Sequence, residues 1–267
     1  MNSRDVALVT GASSGLGIAF AEQLARRGYD LVLTARGADA MEALAERIRD
    51  SHRVDVAVQP ADLSKPEGAR ELTETLDARG LSPLVVVNNA GLGLNERFAE
   101  QDPDRLSSML QLNIVALTEL TRFCGQRMMA ADGGHILLVA SLAAYMPAPL
   151  MAAYAASKAY VLSLGGALHV ELAPKVGVTV LSPGYMETGF DAASGFQPTP
   201  TTRRTALSPG KVAGIGLDAL FKNRSPLSQA ARTRSQRRSE SCFHARSWRG
   251  SSIRRPADGT ARNEVGV

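Results

Sequence analysis

The stretch VALVTGASSGLG (6–17) joins a short apolar run to a glycine-rich loop, and a helical pattern follows at once. An uninterrupted run of Val, Ala and Leu is typical of a strand that is buried on both faces. Gly11 can take the sharp turn off this strand, Gly15 lets the backbone approach a pyrophosphate, and Gly17 permits close packing of the helix. The start of the helix offers free N–H groups to phosphates. The stretch therefore predicts a dinucleotide-binding turn between a strand and a helix.

The pattern of an apolar run followed by a helical segment is repeated to about residue 184. Further strand-like runs lie at 30–35, 54–59, 83–88, 135–140 and 177–182. Strands that alternate with helices imply right-handed crossovers and a parallel sheet covered on both faces. The apolar content of 45% supports a large core. We therefore predict a single α/β domain, residues 1–221, with a doubly wound parallel sheet of the Rossmann type.

Arg36 lies at the end of the second predicted strand, roughly twenty residues beyond the glycine loop. The fingerprint for NAD expects Asp or Glu at this point. A guanidinium there would meet the 2′-phosphate of NADP in a charge-assisted contact. The sequence thus favours NADP(H) over NAD(H), and the alternative is a solvent-facing Arg at a strand end.

The glycine loop also fits a second enzyme class. Its letters GASSG satisfy G-x-S-x-G, the nucleophile elbow of serine hydrolases, with Ser13 as the nucleophile. That elbow normally follows several strands, whereas only one predicted strand precedes Ser13, and the chain has no HGGG-like oxyanion loop. A hydrolase stays a remote alternative.

Tyr154 and Lys158 lie four residues apart in the stretch YAASKAY (154–160). Four residues is a little over one helical turn, so both side chains project from one face of a helix. A free Tyr has a pKa near ~10, and a fixed cation beside it favours the phenolate and lowers that value. The pair would suit a general acid, although a packed Tyr and a surface Lys on an ordinary helix give the same pattern.

These features together resemble the short-chain dehydrogenase/reductase family over roughly residues 5–190. The motifs occur in the order of the family: TGASSGLG (10–17), ADL (61–63), NNAG (88–91), LN (112–113), Ser141, YAASK (154–158) and PGYMET (183–188). The resemblance implies an NADP(H)-dependent oxidoreductase that interconverts a carbonyl compound and a primary or secondary alcohol by hydride transfer. Its partner would be a small carbonyl or alcohol substrate.

The resemblance assigns four catalytic residues. Tyr154 would be the proton donor or acceptor, and Lys158 would lower its pKa and hold the nicotinamide ribose. Ser141 would hydrogen-bond the substrate oxygen, and Asn113 would hold a water in the proton relay. Taken singly, Asn113 could instead be a polar residue that kinks a helix, and Ser141 could cap a strand end.

The resemblance also assigns cofactor-binding residues. Asp62 and Leu63 would contact the adenine, Asn89 the ribose region, and Met186 with Thr188 the nicotinamide end. The other implied cofactor-binding residues are Gly11, Ser13, Ser14, Gly15, Leu16, Gly17, Ala90, Gly91, Tyr154, Lys158, Pro183 and Gly184. No metal site is expected, because Cys124 and Cys242 lie far apart with no C-x-x-C and no His at ligand spacing.

The cellular location is inferred from the same two cysteines, which suggest a reduced, cytoplasmic protein. The start of the chain passes directly into a strand-like run without the pattern of a signal peptide. No apolar segment reaches the ~18 residues that suggest a membrane span.

A further expectation concerns the long loop 189–210, which leaves the sixth predicted strand and is placed to act as a substrate lid.

The end of the chain departs from the family. Of the 30 basic and 26 acidic residues, residues 222–267 hold 11 and 3, so the first 221 have a net charge of −4 and the tail +8. The tail has no strand alternation and no helical stripe, which predicts disorder and a missing seventh strand. A frameshifted end, a natural disordered tail and a nucleic-acid-binding arm stay open. Nucleic acid is not the expected partner, because the body has no basic stripe interleaved with aromatic residues.

The missing strand opens a second hypothesis, a protein that retains the cofactor-binding fold with little or no catalysis. A subunit contact built on the sheet edge would be lost with that strand. A homodimer through the helices after the fourth and fifth strands could still form.

Overall fold

The computed structural model describes residues 5–131, 133–224 and 227–228. Its strands form one sheet in the order β3-β2-β1-β4-β5-β6-β7, and every pair of neighbours is parallel. The strands are β1 (Val6–Thr10), β2 (Asp30–Thr34), β3 (Val56–Val58), β4 (Val85–Asn88), β5 (Gly134–Val139), β6 (Val176–Ser182) and β7 (Leu227–Ser228). The strand order turns back beside β1, as in a doubly wound fold. The predicted α/β class is confirmed, and the described residues form a single domain.

Helices connect the strands and cover both faces of the sheet. They are α1 (Gly15–Arg26), α2 (Ala38–His52), α3 (Gly68–Ala78), α4 (Pro103–Leu110), α5 (Leu117–Ala130), α6 (Ala152–Glu171), α7 (Phe190–Ser194), α8 (Pro200–Arg204) and α9 (Pro209–Leu220). One core packs α1, α2 and α9 against the sheet, and the other packs α3, α5 and α6. Neighbouring residues of β1 enter different cores, Leu8 the second and Val9 the first. This double burial explains the uninterrupted apolar runs of the sequence.

The helical region between β4 and β5 is divided into segments of different helix type. Between α4 and α5, residues Gln111–Ala116 form a π-helical segment, whose wider turn replaces the i→i−4 bonds of an α-helix. Asn113 lies in this segment and is completely buried. The polar residue predicted as a possible helix kink therefore lies in a local change of helix type.

The prediction that residues after 221 add no strand is wrong for Leu227–Ser228. These two residues pair in parallel with Leu181 and Ser182 of β6. Without β7, strand β6 would be an edge strand with unpaired backbone N–H and C=O groups. Two residues can pair with these backbone groups whatever their side chains are. A short strand therefore does not need the apolar alternation on which the prediction depended. Residues 229–267, with the predicted disorder and the three possible origins of the tail, lie outside the described residues.

Within the described part of the chain, no helix has both the length and the apolar character to cross a membrane.

Candidate active site

The predicted site residues meet at the carboxyl edge of the sheet. The order of the strands places the loops side by side: the loop after β3 with Asp62, the end of β2 with Arg36, the glycine loop after β1, and then the ends of β4, β5 and β6. These loops line one cleft of about 840 Å³. All predicted site residues line it except Gly17 and Asn113, which lie behind its surface. A cleft at this edge is where open α/β sheets bind ligands.

The glycine loop has a geometry that larger side chains would disrupt. Gly11 has a φ of +68°, and a Cβ there would lie 2.9 Å from the side-chain nitrogen of Asn89. A Cβ on Gly17 would collide with the carbonyl oxygen of Gly11, so the start of α1 packs directly on the loop. Ser14, at the N-cap of α1, makes no side-chain capping bond in the described structure. The Ser14 side chain therefore does not occupy the first N–H groups of α1, although the Gly17 N–H donates to the Ser14 carbonyl oxygen.

Hydrogen bonds tie the end of β1 to the end of β4. The Thr10 hydroxyl accepts the backbone N–H groups of Asn89 and Ala90, each at 2.9 Å. The Asn89 side-chain nitrogen donates to the carbonyl oxygen of Thr10 at 2.9 Å. Sequence reasoning missed Thr10, although its place directly before Gly11 at the strand end was a usable signal.

Arg36 and Asp62 line the same end of the cleft. The Arg36 side chain is exposed, so its guanidinium is accessible to a ligand phosphate. Asp62 accepts hydrogen bonds from the Ser64 hydroxyl at 2.6 Å and the Ser64 N–H at 3.1 Å. The Ser64 hydroxyl holds the pKa of Asp62 below its ordinary value, and the positive charge of Arg36 acts in the same direction. Ser64 also lines the cleft and was not predicted.

Tyr154 and Lys158 lie on α6, and both line the cleft although little of either is exposed. Tyr154 is 8% exposed and packs against Leu94 and Met109. Lys158 is 3% exposed, and its ammonium donates to the carbonyl oxygen of Val139 at 2.9 Å. The ammonium nitrogen lies 5.9 Å from the centre of the Tyr154 ring.

The pKa of Tyr154 moves in the opposite direction to the predicted lowering. Burial raises it, because a phenolate is poorly solvated in this apolar setting, and the hydrogen bond with the Ser141 hydroxyl opposes the rise only in part. Burial also lowers the pKa of Lys158 to about 8. The ammonium of Lys158 donates to the Val139 carbonyl rather than to the phenol. Its positive charge therefore does not offset the rise that burial causes in the pKa of Tyr154.

Asn113 connects the loop after β4 with helix α6 behind the cleft. Its side-chain oxygen accepts the Leu92 N–H, and its nitrogen donates to the Leu92 carbonyl oxygen, both at 2.9 Å. The same nitrogen donates to the Ser157 hydroxyl at 3.0 Å, and that hydroxyl donates to the carbonyl oxygen of Tyr154 at 2.7 Å. Asn113 thus fixes the loop after β4 against the helix of Tyr154. Sequence reasoning missed Ser157, which stands three residues after Tyr154.

The loop after β6 closes the other side of the cleft. The Pro183 carbonyl accepts the N–H of Leu142, which joins this loop to the segment that follows Ser141. Pro183, Gly184, Met186 and Thr188 line the cleft, as predicted from PGYMET. A Cβ on Gly15 would lie 3.0 Å from the Thr188 side chain, so this loop approaches the glycine loop closely.

The predicted lid contains the short helices α7 and α8 and lies against Tyr154. The Phe190 ring is 5.5 Å from the Tyr154 ring, centre to centre. Asn95, in the loop after β4, donates its N–H to the Ser194 carbonyl at 3.0 Å and its side-chain N–H to the Gly195 carbonyl at 3.2 Å. The segment therefore borders the cleft and is held by the loop after β4.

The hydrolase alternative has no support in this site. Ser13 lines the cleft, but the described residues that line it include no histidine that could act as its base. A serine nucleophile requires an adjacent general base.

The site fits a nicotinamide dinucleotide. Gly11 and Gly15 line the cleft, and Ser14 at the start of α1 makes no side-chain capping bond. The Arg36 guanidinium and the Asp62 carboxylate line the end of the cleft beyond the glycine loop. The fold and cleft are those of a dinucleotide-binding protein.

Comparison with known proteins agrees with this description. The family model for short chain dehydrogenases matches residues 5–197. The chain is 35% identical over 184 residues to 11-beta-hydroxysteroid dehydrogenase A of Sesamum indicum, an alignment that covers 68% of this chain and 53% of that protein. It is 33% identical over 216 residues to an uncharacterized oxidoreductase of Staphylococcus saprophyticus, over 80% of this chain and 90% of that one. The chain therefore spans about half the length of the Sesamum relative.

Solved structures give the same result. A short-chain dehydrogenase from Sphingobium yanoikuyae in complex with NADPH superimposes with a TM-score of 0.81 and 29% identity, over 89% of this chain and 92% of that chain. A short chain dehydrogenase/reductase from Burkholderia phymatum in complex with NAD has a TM-score of 0.74 and 27% identity, over 85% and 90%. Structural neighbours thus hold either nicotinamide cofactor. This protein belongs to the short-chain dehydrogenase family.

Proposed function

We propose that this protein is an NADP(H)-dependent oxidoreductase that interconverts a carbonyl compound and a primary or secondary alcohol, with Tyr154 as the general acid and base. The observation that carries the proposal is the meeting of Tyr154, Ser141 and Lys158 in one cleft with the glycine loop. The bound cofactor supplies or accepts the hydride at the substrate carbon. The residues of the chain then have to bind and orient the substrate and transfer a proton to or from its oxygen.

The proton chemistry follows from the environment of Tyr154. Because burial raises its pKa, the phenol stays protonated at neutral pH and can donate to a carbonyl oxygen. Ser141 hydrogen-bonds this phenol and would hold the same substrate oxygen. The opposite direction, alcohol oxidation, needs Tyr154 as a base and is favoured by higher pH.

Lys158 and Asn113 have supporting roles in the proposal. With a pKa of about 8, Lys158 is mostly charged at pH 7 and would hold the nicotinamide ribose. Asn113 would hold a water in the proton relay, and its bonds to Leu92 and Ser157 already keep the backbone beside Tyr154 in place.

The cofactor would be held along the whole carboxyl edge. The glycine loop and the start of α1 would bind the phosphates, Asp62 and Leu63 the adenine, Asn89 the ribose region, and the loop after β6 the nicotinamide. The exposed Arg36 beside Asp62 supports NADP(H) as the preferred cofactor, since a guanidinium pairs with a 2′-phosphate.

The partners and location are proposed with the function. The substrate would be a small carbonyl compound or alcohol. A homodimer through α5 and α6 is supported by exposed apolar side chains on these helices, Met129, Tyr160 and Val170. Two widely spaced cysteines support a reducing compartment, the cytoplasm.

The test is NADPH oxidation, followed by absorbance, with a panel of aldehydes and ketones. We expect turnover with at least one carbonyl compound and at least ~10²-fold slower turnover after Tyr154→Phe, the low end for the loss of a general acid. The variant should still bind NADPH. Binding of NADPH by the unaltered protein without any turnover would instead favour a cofactor-binding protein with little or no catalysis.

A further inference from the structure

The cleft has an apolar wall around Tyr154. Met151, Ala143 and Phe190 pack against the cluster that contains the Tyr154 ring. They come from the β5–α6 loop and from the lid, so the wall borders the phenol from two segments of the chain. Other apolar side chains that line this half of the cleft are Leu92, Leu142, Met146, Ala148, Ala193 and Phe196.

The same half of the cleft has an unusual charge. Among the described residues that line it from 141–154 and 183–202, Asp191 is the only carboxylic acid and there is no Lys, Arg or His. The ammonium of Lys158 donates to the carbonyl oxygen of Val139. Arg203, which lies outside the lining, pairs with Glu187. An anionic group on a substrate would therefore meet no basic partner in this part of the site.

Asp191 adds a repulsive element to the apolar wall. Its carboxylate accepts the Tyr185 hydroxyl at 2.6 Å, which orients the group without neutralising its charge. Asp191 stands next to Phe190, the residue whose ring lies against Tyr154. A carboxylate or phosphate on a substrate would lose its hydration here and face a like charge, and both effects disfavour binding.

We infer, on the basis of the proposed function, that the substrate is an uncharged and predominantly apolar carbonyl compound or alcohol. Phe190 and Met151 are its apolar contacts, and Asp191 discriminates against carbonyl compounds that carry a carboxylate or phosphate. Discrimination of this kind combines a favourable surface for one ligand with an unpaired like charge against another. Phe190 and Asp191 are adjacent on the lid, so one short segment sets both size and charge selectivity.

The experiment compares matched pairs of ketones that carry either an ester or a free carboxylate. The intrinsic difference in reactivity between ester and acid cancels when their ratio is compared between the unaltered protein and a variant. Methyl benzoylformate and benzoylformate share the reacting ketone and the ring, and ethyl pyruvate and pyruvate provide a smaller pair. With the full chain and NADPH, we expect kcat/KM for the esters to exceed that for the acids by ~10²-fold or more, and the aromatic ester to be preferred over the aliphatic one.

Two substitutions separate the contributions of charge and apolar contact. Asp191→Asn should reduce the ester-to-acid ratio by ~10-fold, whereas Asp104→Asn, the same change at an exposed acid outside the cleft lining, should leave the ratio unchanged. Phe190→Ala should raise KM for the aromatic ester by ~10-fold, whereas Phe98→Ala, with a ring that is 63% exposed and outside the lining, should not.

The outcomes distinguish this inference from the function on which it rests. Equal or faster turnover of the acids, or an ester-to-acid ratio that Asp191→Asn leaves unchanged, would overturn the inference while the oxidoreductase function stands. No turnover of any pair by a protein that binds NADPH would overturn the proposed function and the inference with it.

Discussion

Replacement of Asn113 by Ala tests whether the buried amide holds the active-site loops together. The change removes three hydrogen bonds, two to the backbone of Leu92 and one to Ser157. The Leu92 N–H and carbonyl would each lose a partner in a partly buried place, at about 1 kcal/mol each, and the bond to Ser157 adds about 1 kcal/mol. We therefore expect the free energy of unfolding to fall by about 3 kcal/mol.

The matched control is Asn88→Ala. Asn88 is also buried, 2% exposed, but makes one side-chain bond, to the Thr121 hydroxyl at 2.9 Å. Its loss should cost about 1 kcal/mol. For a chain of this size 1 kcal/mol shifts Tm by ~2–4 °C, so Asn113→Ala should lower Tm by ~6–12 °C and Asn88→Ala by ~2–4 °C.

Thermal unfolding followed by circular dichroism measures both variants, and NADPH oxidation is measured well below the lower Tm. We expect Asn113→Ala to lose activity as well as stability, because its partners include the residue that bonds the backbone of Tyr154. The reasoning is refuted if Asn113→Ala is no more destabilising than Asn88→Ala. Normal turnover in Asn113→Ala would separately remove Asn113 from the proton relay.

Three further predictions concern the cofactor end, the proton donor and the buried lysine. Arg36→Asp should weaken NADPH binding far more than NADH binding, because it replaces a phosphate partner with a like charge; equal weakening in titrations of intrinsic fluorescence would mean that Arg36 does not contact the 2′-phosphate. Tyr154→Phe should lower turnover by at least ~10²-fold, whereas Tyr160→Phe, on the same helix and 37% exposed, should leave it near normal in the same assay. The Lys158 pKa of about 8 lies below the ordinary 10.5, so between these values the unfolded chain binds a proton that the folded chain has lost, and stability rises with pH. Urea unfolding between pH 7 and pH ~9.5 should show this rise in the unaltered protein and not in Lys158→Met; a parallel pH dependence in the two would contradict it.

The strand runs, the helical segments between them and the glycine loop could all be predicted from residues that are near one another in the chain. A strand buried on both faces must be apolar on successive residues, and the predicted runs at 6–10 and 177–182 coincide with β1 and β6 to within one residue. Gly11 was also predictable, because a left-handed backbone and a close approach to the next loop both exclude a Cβ. The sequence also predicted a doubly wound parallel sheet, whose strands end at a common edge, but the order of the strands is given by the structure alone.

The direction of the Tyr154 pKa was decided by the tertiary structure. The sequence shows a cation four residues away, but the phenol is desolvated by Leu94, Met109 and Phe190, which come from other elements. The same holds for Asn113, whose partners Leu92 and Ser157 lie 21 and 44 residues away. The seventh strand pairs through backbone groups, which leave no pattern in the side chains. Periodicity and conformational preference are local and can be read along the chain, whereas desolvation and hydrogen-bond partners depend on which distant segments the fold brings together.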